Sequence, residues 1–195
     1  RYIPSPSFLS LHLGVDKEVL PPNTHCHHLL LDEWDQMEKE QGVAFVSMPT
    51  LLDSSLAPQG FHIVHAFTPS SMENWKGLTP NEYLTKKKSD ANSLIDKLER
   101  IFPGLKNSIS HLEIGTPRSH RRFLGRFQGS YGPIPSGTLP GLLPMHFNTT
   151  GKKGLFCVGD SCFPGQGLNA VAFSGYACAH KIGAQLGINS WELPD

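Results

Sequence analysis

Leucine recurs at every second position from 9 to 13 in the first predicted strand of the chain. Between residues 7 and 15 the leucines share one side, and Phe8, Ser10 and His12 share the other. This period of two is typical of a strand with one buried face. Other short apolar runs lie between turn residues, and a loop with Pro58 and Gly60 would let two of them pair, so we predict a mostly antiparallel sheet. The predicted strands cover residues 7–15, 28–31, 43–48, 61–67 and 109–114.

A helix is predicted over about 79–102. Thr79 is a suitable N-cap, Pro80 suits the first helical position, and Glu82 completes a capping box. Apolar residues then recur on one side until Phe102, where Pro and Gly follow and end the helix. The three consecutive lysines at positions 86–88 lie at its polar margin, which indicates a solvated face.

A second pattern, near the carboxyl end, combines a short apolar run with an acid. Residues 155–158 are Leu, Phe, Cys and Val, which predicts a fully buried strand. Asp160 follows that strand, at the position where ligands bind in open α/β sheets. Because an ionised Asp only accepts hydrogen bonds, Asp160 could hold a sugar hydroxyl.

Glycines and a helix of small residues follow this acid. Gly165 and Gly167 permit positive φ and close approach of the backbone to a ligand. The helix would begin at about Leu168 and end near Gly187, and its first N–H groups would favour an anionic or electron-rich group. The segment therefore suits a large cofactor with a ribityl or phosphate group, and the alternative is a plain buried helix packed on a strand.

Composition excludes several classes of function. The chain has 195 residues, 38% of them hydrophobic, and a formal net charge of zero, so it has no electrostatic footprint for nucleic acid. No apolar run approaches the length of a membrane span. Four cysteines in a chain of this size indicate free, buried thiols in a reducing compartment rather than a disulfide framework.

Two groups of residues, 25–28 and the pair Cys157 and Cys162, invite a metal hypothesis, which we reject. Residues 25–28 are His-Cys-His-His, but adjacent residues of an extended segment point to opposite faces and do not share one ion.

The sequence also lacks the usual groups of a hydrolase. Ser161 lacks the context of a nucleophile elbow, and no general-acid pair is evident. We therefore expect no metal site and assign no catalytic residue, as in enzymes whose cofactor carries the chemistry.

The segment from Cys157 to Gly167, with its continuation from Ala170 to Gly175, resembles the carboxyl-terminal signature of plant and algal carotenoid isomerases. These enzymes belong to the phytoene-desaturase-type flavoproteins. The chain departs from the best-known members at Leu168-Asn169, where they have Val-Ile, which leaves open a paralogue with another substrate. Further segments that look like this family are residues 6–10, 15–21, 52–58, 102–105, 115–117, 120–122, 131–133 and 147–150.

The resemblance implies an α/β fold that is the carboxyl-terminal portion of a two-domain FAD-dependent oxidoreductase. Residues 1–150 would form an α+β portion of the substrate domain, and residues 151–195 would supply the last strand and helix of the FAD domain. The chain contains no G-x-G-x-x-G after a strand and begins at Arg1 without a transit pattern. We therefore expect the amino-terminal dinucleotide-binding segment of the parent protein to lie outside this sequence.

The resemblance also implies site residues. Asp160 would hold the ribityl chain, and backbone groups at the start of the last helix would stabilise negative charge near the flavin pyrimidine ring. The short helix from Thr116 carries three arginines that could pair with acids, contact the flavin pyrophosphate or face a membrane. The expected cofactor-binding residues are Gly159, Asp160, Gly167, Leu168, Asn169 and Ala170, and the candidates to line the substrate path are Phe163, Pro164 and Tyr131.

The implied reaction is the conversion of poly-cis lycopene to all-trans lycopene, redox-neutral and dependent on reduced FAD, with NAD(P) as an optional electron source. The implied location is the plastid, with peripheral membrane contact. Two alternatives remain open: an isoprenoid desaturase or saturase of the same superfamily, and a catalytically silent binding module. A change in product mass would distinguish the desaturase or saturase from an isomerase. A lack of bound flavin would identify the binding module.

Overall fold

The computed structural model describes residues 2–37, 39–135 and 145–188. Its residues form two compact units, Pro6–Ser130 and the described parts of Arg1–Ser5 with Tyr131–Asp195. In chain order the helices and strands are β1 (Tyr2–Pro4), β2 (Ser7–Asp16), β3 (His27–Leu31), β4 (Val43–Ser47), β5 (Phe61–Ser70), α1 (Pro80–Ile101), α2 (Leu105–Ser108), β6 (Ile109–Gly115), α3 (Pro117–Leu124), β7 (Pro133–Pro135) and α4 (Leu168–Gln185).

The larger unit is built on a five-stranded antiparallel sheet in the order β3-β4-β5-β2-β6. β2 is next to β6 on one side and pairs along its whole length with β5 on the other. The five strands predicted from the sequence are confirmed, as is the pairing of β4 with β5. The expected mixed α/β class with a mostly antiparallel sheet is confirmed.

Helix α1 covers one face of this sheet. Its amino terminus has the predicted capping box, in which Thr79 Oγ1 accepts from the Glu82 N–H and the Glu82 carboxylate accepts from the Thr79 N–H. The alternating apolar residues of β2 are buried against this helix and form the main core. The α1 residues in that core are Ala91, Leu94, Ile95 and Leu98.

The opposite face of the sheet carries aromatic side chains. Phe45 and Phe67 lie directly opposite each other on β4 and β5, with ring centroids 4.9 Å apart in a stacked pair. Phe8 contacts Phe67 edge-on at 5.1 Å. Phe45 and Phe67 remain 38% and 36% exposed, so this aromatic face is an open apolar surface of the larger unit.

The smaller unit contains the short antiparallel pair β1–β7 and the long helix α4. The buried strand predicted at residues 155–158 is wrong for the described chain: a single bridge joins Thr149 to Phe156, and Leu155 and Val158 are 52% and 56% exposed. An apolar run becomes a buried strand only when neighbouring strands pair with it and other elements cover both faces of the sheet. Within the described residues the segment around Thr149 contacts one edge.

No helix in the described ranges has the length and apolar character needed to cross a membrane.

Candidate functional site

The loop that leads into α4 is shaped by glycines with positive φ. Gly167 has φ 100° and ψ 154°, a backbone region that is almost exclusive to glycine. A Cβ added there would meet no atom within 4 Å, and the same holds at Gly159, whose φ is 106°. The requirement for glycine at these positions therefore comes from backbone conformation, and the space beside them is open.

The amino terminus of α4 lies at the predicted position. The helix begins at Leu168, and its first backbone bond runs from the Val171 N–H to the Gly167 carbonyl. The amides of Leu168, Asn169 and Ala170 precede that bond, and no side chain of the described chain caps them. Three N–H donors thus remain at the positive end of an 18-residue helix.

Asp160 lies in a tight turn at the start of the same loop. The Cys162 N–H donates to the Gly159 carbonyl at 3.1 Å, so the chain reverses around Asp160, which is half-buried. The backbone of Gly132 packs here, since a Cβ at that position would lie 3.0 Å from the Asp160 carbonyl oxygen. The turn is therefore held close to the chain segment that follows Tyr131.

A buried asparagine fixes this loop to α4. Asn148 Nδ2 lies 2.9 Å from the Cys157 carbonyl oxygen, 3.1 Å from Ser174 Oγ and 3.2 Å from the Ser174 carbonyl oxygen. The backbone carbonyl of Asn148 in turn accepts from the Cys157 N–H at 2.9 Å. Asn148 and Ser174 are 8% and 0% exposed, so one amide joins three parts of the site in a buried cluster, which we call the Asn148 clip.

The clip determines where the site residues lie. Ser174 Oγ also accepts from the Gly159 N–H at 3.3 Å, which ties the beginning of the loop to α4. Further along, the Phe163 N–H donates to the His146 carbonyl at 2.7 Å. Sequence reasoning missed Asn148 and Ser174 as positioning residues. The available signal was a polar serine within the small, apolar sequence of α4.

The predicted substrate-lining residues lie around the same loop. Phe163 is 36% exposed, and its ring lies 5.3 Å from that of Phe147. Pro164 follows a cis peptide bond and is exposed. Tyr131 is half-buried, and its N–H donates to Ser5 Oγ at 3.0 Å. Phe147 is a further neighbour; it lies in a segment that resembles the family but was not among the predicted substrate-lining residues.

Two cysteines contribute to the electrostatics beside the loop. Burial raises the pKa of the Cys162 thiol, and the neighbouring Cys157 raises it further. All four cysteines of the chain are free, but the expectation that they are buried is wrong in part, because Cys157 is exposed and Cys26 half-buried. The exposure of Cys157 has the same cause as that of Leu155: residues 155–158 are not enclosed by strands.

Cys157 is expected to react with iodoacetamide more than about tenfold faster than Cys162 at neutral pH, because the thiolate is the reactive form. The raised pKa and 3% exposure of Cys162 both suppress its reaction. Mass spectrometry of digested native protein measures the two rates, and denatured protein provides the control in which both cysteines react. Equal rates in the native protein would show that residues 155–158 are enclosed.

Metal coordination has no support in the described ranges, where no three His, Cys, Asp or Glu side chains converge.

Comparison with curated proteins relates the chain to enzymes of carotenoid metabolism. It is 59% identical over 189 residues to "Prolycopene isomerase, chloroplastic" of Arabidopsis thaliana, which is 96% of this chain and 32% of that protein. The corresponding protein of Daucus carota is 57% identical over 96% of this chain and 31% of its own length. The chain thus spans about a third of the length of these relatives, and the resemblance to the carotenoid isomerases is confirmed.

More distant similarity extends to oxidoreductases. A "4,4'-diapolycopen-4-al dehydrogenase" of Metabacillus indicus is 27% identical over 88% of this chain and 35% of its own length. A crystal structure of an oxidoreductase from Methanosarcina mazei covers 93% of this chain and 35% of its own, with 19% identity and a TM-score of 0.48. That TM-score is too low to support an argument about the fold. No protein-family model matches the chain.

Proposed function

We propose that this chain, a homologue of the plant prolycopene isomerases, is part of an FAD-dependent enzyme that isomerises carotenoids from cis to trans. The proposed reaction converts poly-cis lycopene to all-trans lycopene without net change in redox state. The structural observation that carries the proposal is the amino terminus of α4, where three amides follow a glycine loop and no side chain of the described chain caps them.

The residues of this loop fit a flavin nucleotide. Asp160 is an acceptor suited to a ribityl hydroxyl, and the first amides of α4 are donors suited to the electron-rich pyrimidine ring. The backbone at Gly159 and Gly167 leaves room for close approach, since a Cβ there would meet no atom of the chain within 4 Å. When bound and reduced, FAD supplies electron density to a conjugated polyene and receives it back, and NAD(P) would serve only to reduce it.

The chain's own residues bind and orient the reacting groups. Asp160 fixes the ribityl chain, and the N–H groups of Leu168, Asn169 and Ala170 stabilise negative charge as it develops in front of α4. Because these donors are fixed by the helix and by the Asn148 clip, they need little reorganisation during the reaction. Phe163, Pro164 and Tyr131 lie around the same loop and supply apolar contacts to the substrate.

The aromatic face of the sheet supports a hydrocarbon substrate. Phe8, Phe45 and Phe67 form a contiguous apolar surface that faces away from the core. At its edge lies a predominantly apolar pocket of about 470 Å³, which includes Pro58 and Phe61 in its wall. Surfaces of this kind bind apolar ligands by removing hydrocarbon from water. We propose that this face of the larger unit binds a hydrocarbon ligand.

We also propose a plastid location with peripheral membrane contact. The plant relatives are named chloroplastic, and their named substrate class is a long hydrocarbon that dissolves in bilayers rather than in water.

Anaerobic turnover by the full-length protein tests this function. Purified protein is reduced, incubated with poly-cis lycopene, and the products are followed by chromatography and mass spectrometry. An all-trans product of unchanged mass supports isomerisation. A folded protein that binds no flavin contradicts the proposal and leaves the alternative of a silent binding module.

Asp160→Asn is expected to weaken FAD binding about tenfold, because a hydrogen bond to a charged acceptor becomes a bond to a neutral one. Titration of flavin-free protein with FAD measures the change. Asp35→Asn is the matched control, since Asp35 is an exposed acid of the larger unit whose carboxylate bonds only to Gln36 among the described side chains. Equal FAD affinities for the two variants would contradict the role of Asp160.

A desaturase or saturase is the second candidate, because the chain is 27% identical over 88% of its length to a redox enzyme, the "4,4'-diapolycopen-4-al dehydrogenase" of Metabacillus indicus. The same incubation separates the two reactions. A product that differs from the substrate by two hydrogens would favour this candidate over an isomerase.

A further inference from the structure

Helices α1 and α3 enclose a groove whose charged side chains are all basic. The groove has a volume of about 750 Å³ and lies on the larger unit. Its lining includes Lys87 from α1 and Arg118, Arg121 and Arg122 from α3, and no Asp or Glu. We call these four residues the basic patch.

The basic patch lacks the acidic partners that other basic residues of this unit have. Lys86 pairs with Asp90 at 2.9 Å, and Lys106 pairs with Asp96 at 2.8 Å. Among the described residues, none of the four members of the patch forms an ion pair. Since nearby basic groups are neutralised and these are not, the patch has a local positive potential although the chain has zero formal net charge.

Aromatic contacts hold the patch in place. The Arg118 guanidinium lies 4.7 Å from the centroid of the Tyr83 ring, and the Tyr83 hydroxyl forms a hydrogen bond with Thr116 Oγ1 at 3.1 Å. The Arg122 guanidinium lies 5.2 Å from the Phe123 ring centroid. These contacts orient the guanidinium groups without neutralising their charge. Among the described residues, the arginines of α3 thus form no ion pair with an acid, which was the first of the three roles considered for them.

Large apolar side chains border the same groove. Phe123 on α3 is 75% exposed and Leu84 on α1 is 51% exposed, and both line the groove. Transfer of these two side chains from water to a hydrocarbon environment is favourable. Both side chains lie next to the positive charges of the basic patch. Basic residues interspersed with exposed aromatic and aliphatic groups are the pattern by which peripheral proteins bind the interface of an anionic bilayer.

We propose that the basic patch, with Phe123 and Leu84, is the surface by which this protein binds an anionic lipid membrane. The arginines contact lipid headgroup phosphates or sulfonates, and the two apolar side chains enter the boundary with the acyl chains. The inference rests on the proposed function in one respect: an enzyme whose substrate is dissolved in a bilayer must bind that bilayer to reach it. The charge and geometry of the patch do not depend on that function.

Vesicle sedimentation with the full-length protein tests the proposal. The probes are phosphatidylcholine vesicles with and without phosphatidylglycerol, at low and high salt. We expect binding to the vesicles with phosphatidylglycerol that weakens as salt rises, because ions screen exposed charges. Arg121→Gln with Arg122→Gln should weaken vesicle binding about 25-fold, since each arginine near an anionic surface contributes about fivefold. The matched control, Lys17→Gln with Lys106→Gln, removes the same charge from residues paired with Glu18 and Asp96.

Flavin content and thermal unfolding of each variant are measured together with binding. Unchanged flavin content and stability with lost vesicle binding support the proposal, whatever the outcome of the turnover assay. A double variant that binds vesicles like the control overturns it. Lost flavin or stability in the double variant but not in the control also overturns it, because the patch would then pack against another part of the protein. Phe123→Ser provides a second test: its side chain is exposed, and because salt does not screen apolar burial, vesicle binding should fall by a similar factor at low and at high salt.

Discussion

Gly167→Ala is expected to destabilise the flavin-free protein by about 1–3 kcal/mol, because the backbone at this position has a conformation that is almost exclusive to glycine. With φ 100° and ψ 154°, an alanine must either accept the strain or shift the loop. A shift moves the first amides of α4 away from their positions, so FAD binding should weaken as well. Urea unfolding of the flavin-free protein and FAD titration measure the two effects separately.

Gly175→Ala is the matched control for this prediction. Gly175 lies within α4, lacks a positive φ, and a Cβ added there would meet no atom within 4 Å. The same substitution should therefore stabilise the helix by about 0.5–1 kcal/mol, since alanine loses less conformational entropy than glycine. Opposite signs for the two variants are expected. A stabilising effect of Gly167→Ala would show that the loop does not need its positive φ.

The sequence correctly predicted the strands and the helix that pack against other elements of this chain. Alternation in β2 identified its buried face, because β5, β6 and α1 all come from the same unit. The capping box at Thr79 identified the start of α1, because that signal is local. Each of these predictions depended on residues close in sequence or on one regular pattern, and each is confirmed.

The run at residues 155–158 shows where such reasoning fails. Its four apolar residues indicate that the segment favours burial. They do not show whether the strands that would pair with it lie in this sequence. In the described chain Leu155 and Val158 are more than half exposed. The strand was predicted from composition alone, whereas a buried strand is a property of the whole sheet.

Helix α4 shows a second limit. Its bounds were predicted well, including Gly187, which has φ 74° and follows the last turn. Its buried face was harder to predict: Leu168, an apolar residue, is 82% exposed, while the small residues Ser174, Cys178 and Gly183 are buried. Small residues permit close packing, and Ser174 is buried because Asn148, 26 positions earlier, bonds to it. Such a long-range polar contact has no periodic signal in the sequence.

Asn148→Asp is expected to destabilise the protein by about 3 kcal/mol or more and to reduce its FAD content. The substitution keeps the size of the side chain but replaces an amide donor with a group that only accepts hydrogen bonds when ionised. The carboxylate would face the Cys157 carbonyl oxygen and the two oxygens of Ser174 in a buried site. An unmatched buried polar group costs about 1–3 kcal/mol, and a buried charge costs more. Urea unfolding and flavin absorbance measure the two effects.

The pH dependence of this variant distinguishes charge repulsion from lost packing. Burial among acceptors should raise the pKa of the new carboxyl above that of an unfolded Asp. Its penalty is then largest at neutral pH and decreases as pH falls through the folded pKa, so the difference from wild type should narrow in mild acid. Asn107→Asp, at an exposed position in α2, provides the control and should show neither effect. If Asn148→Asp had wild-type stability at neutral pH, the clip would not hold the loop to α4, and the amides of α4 would need another means of staying in place.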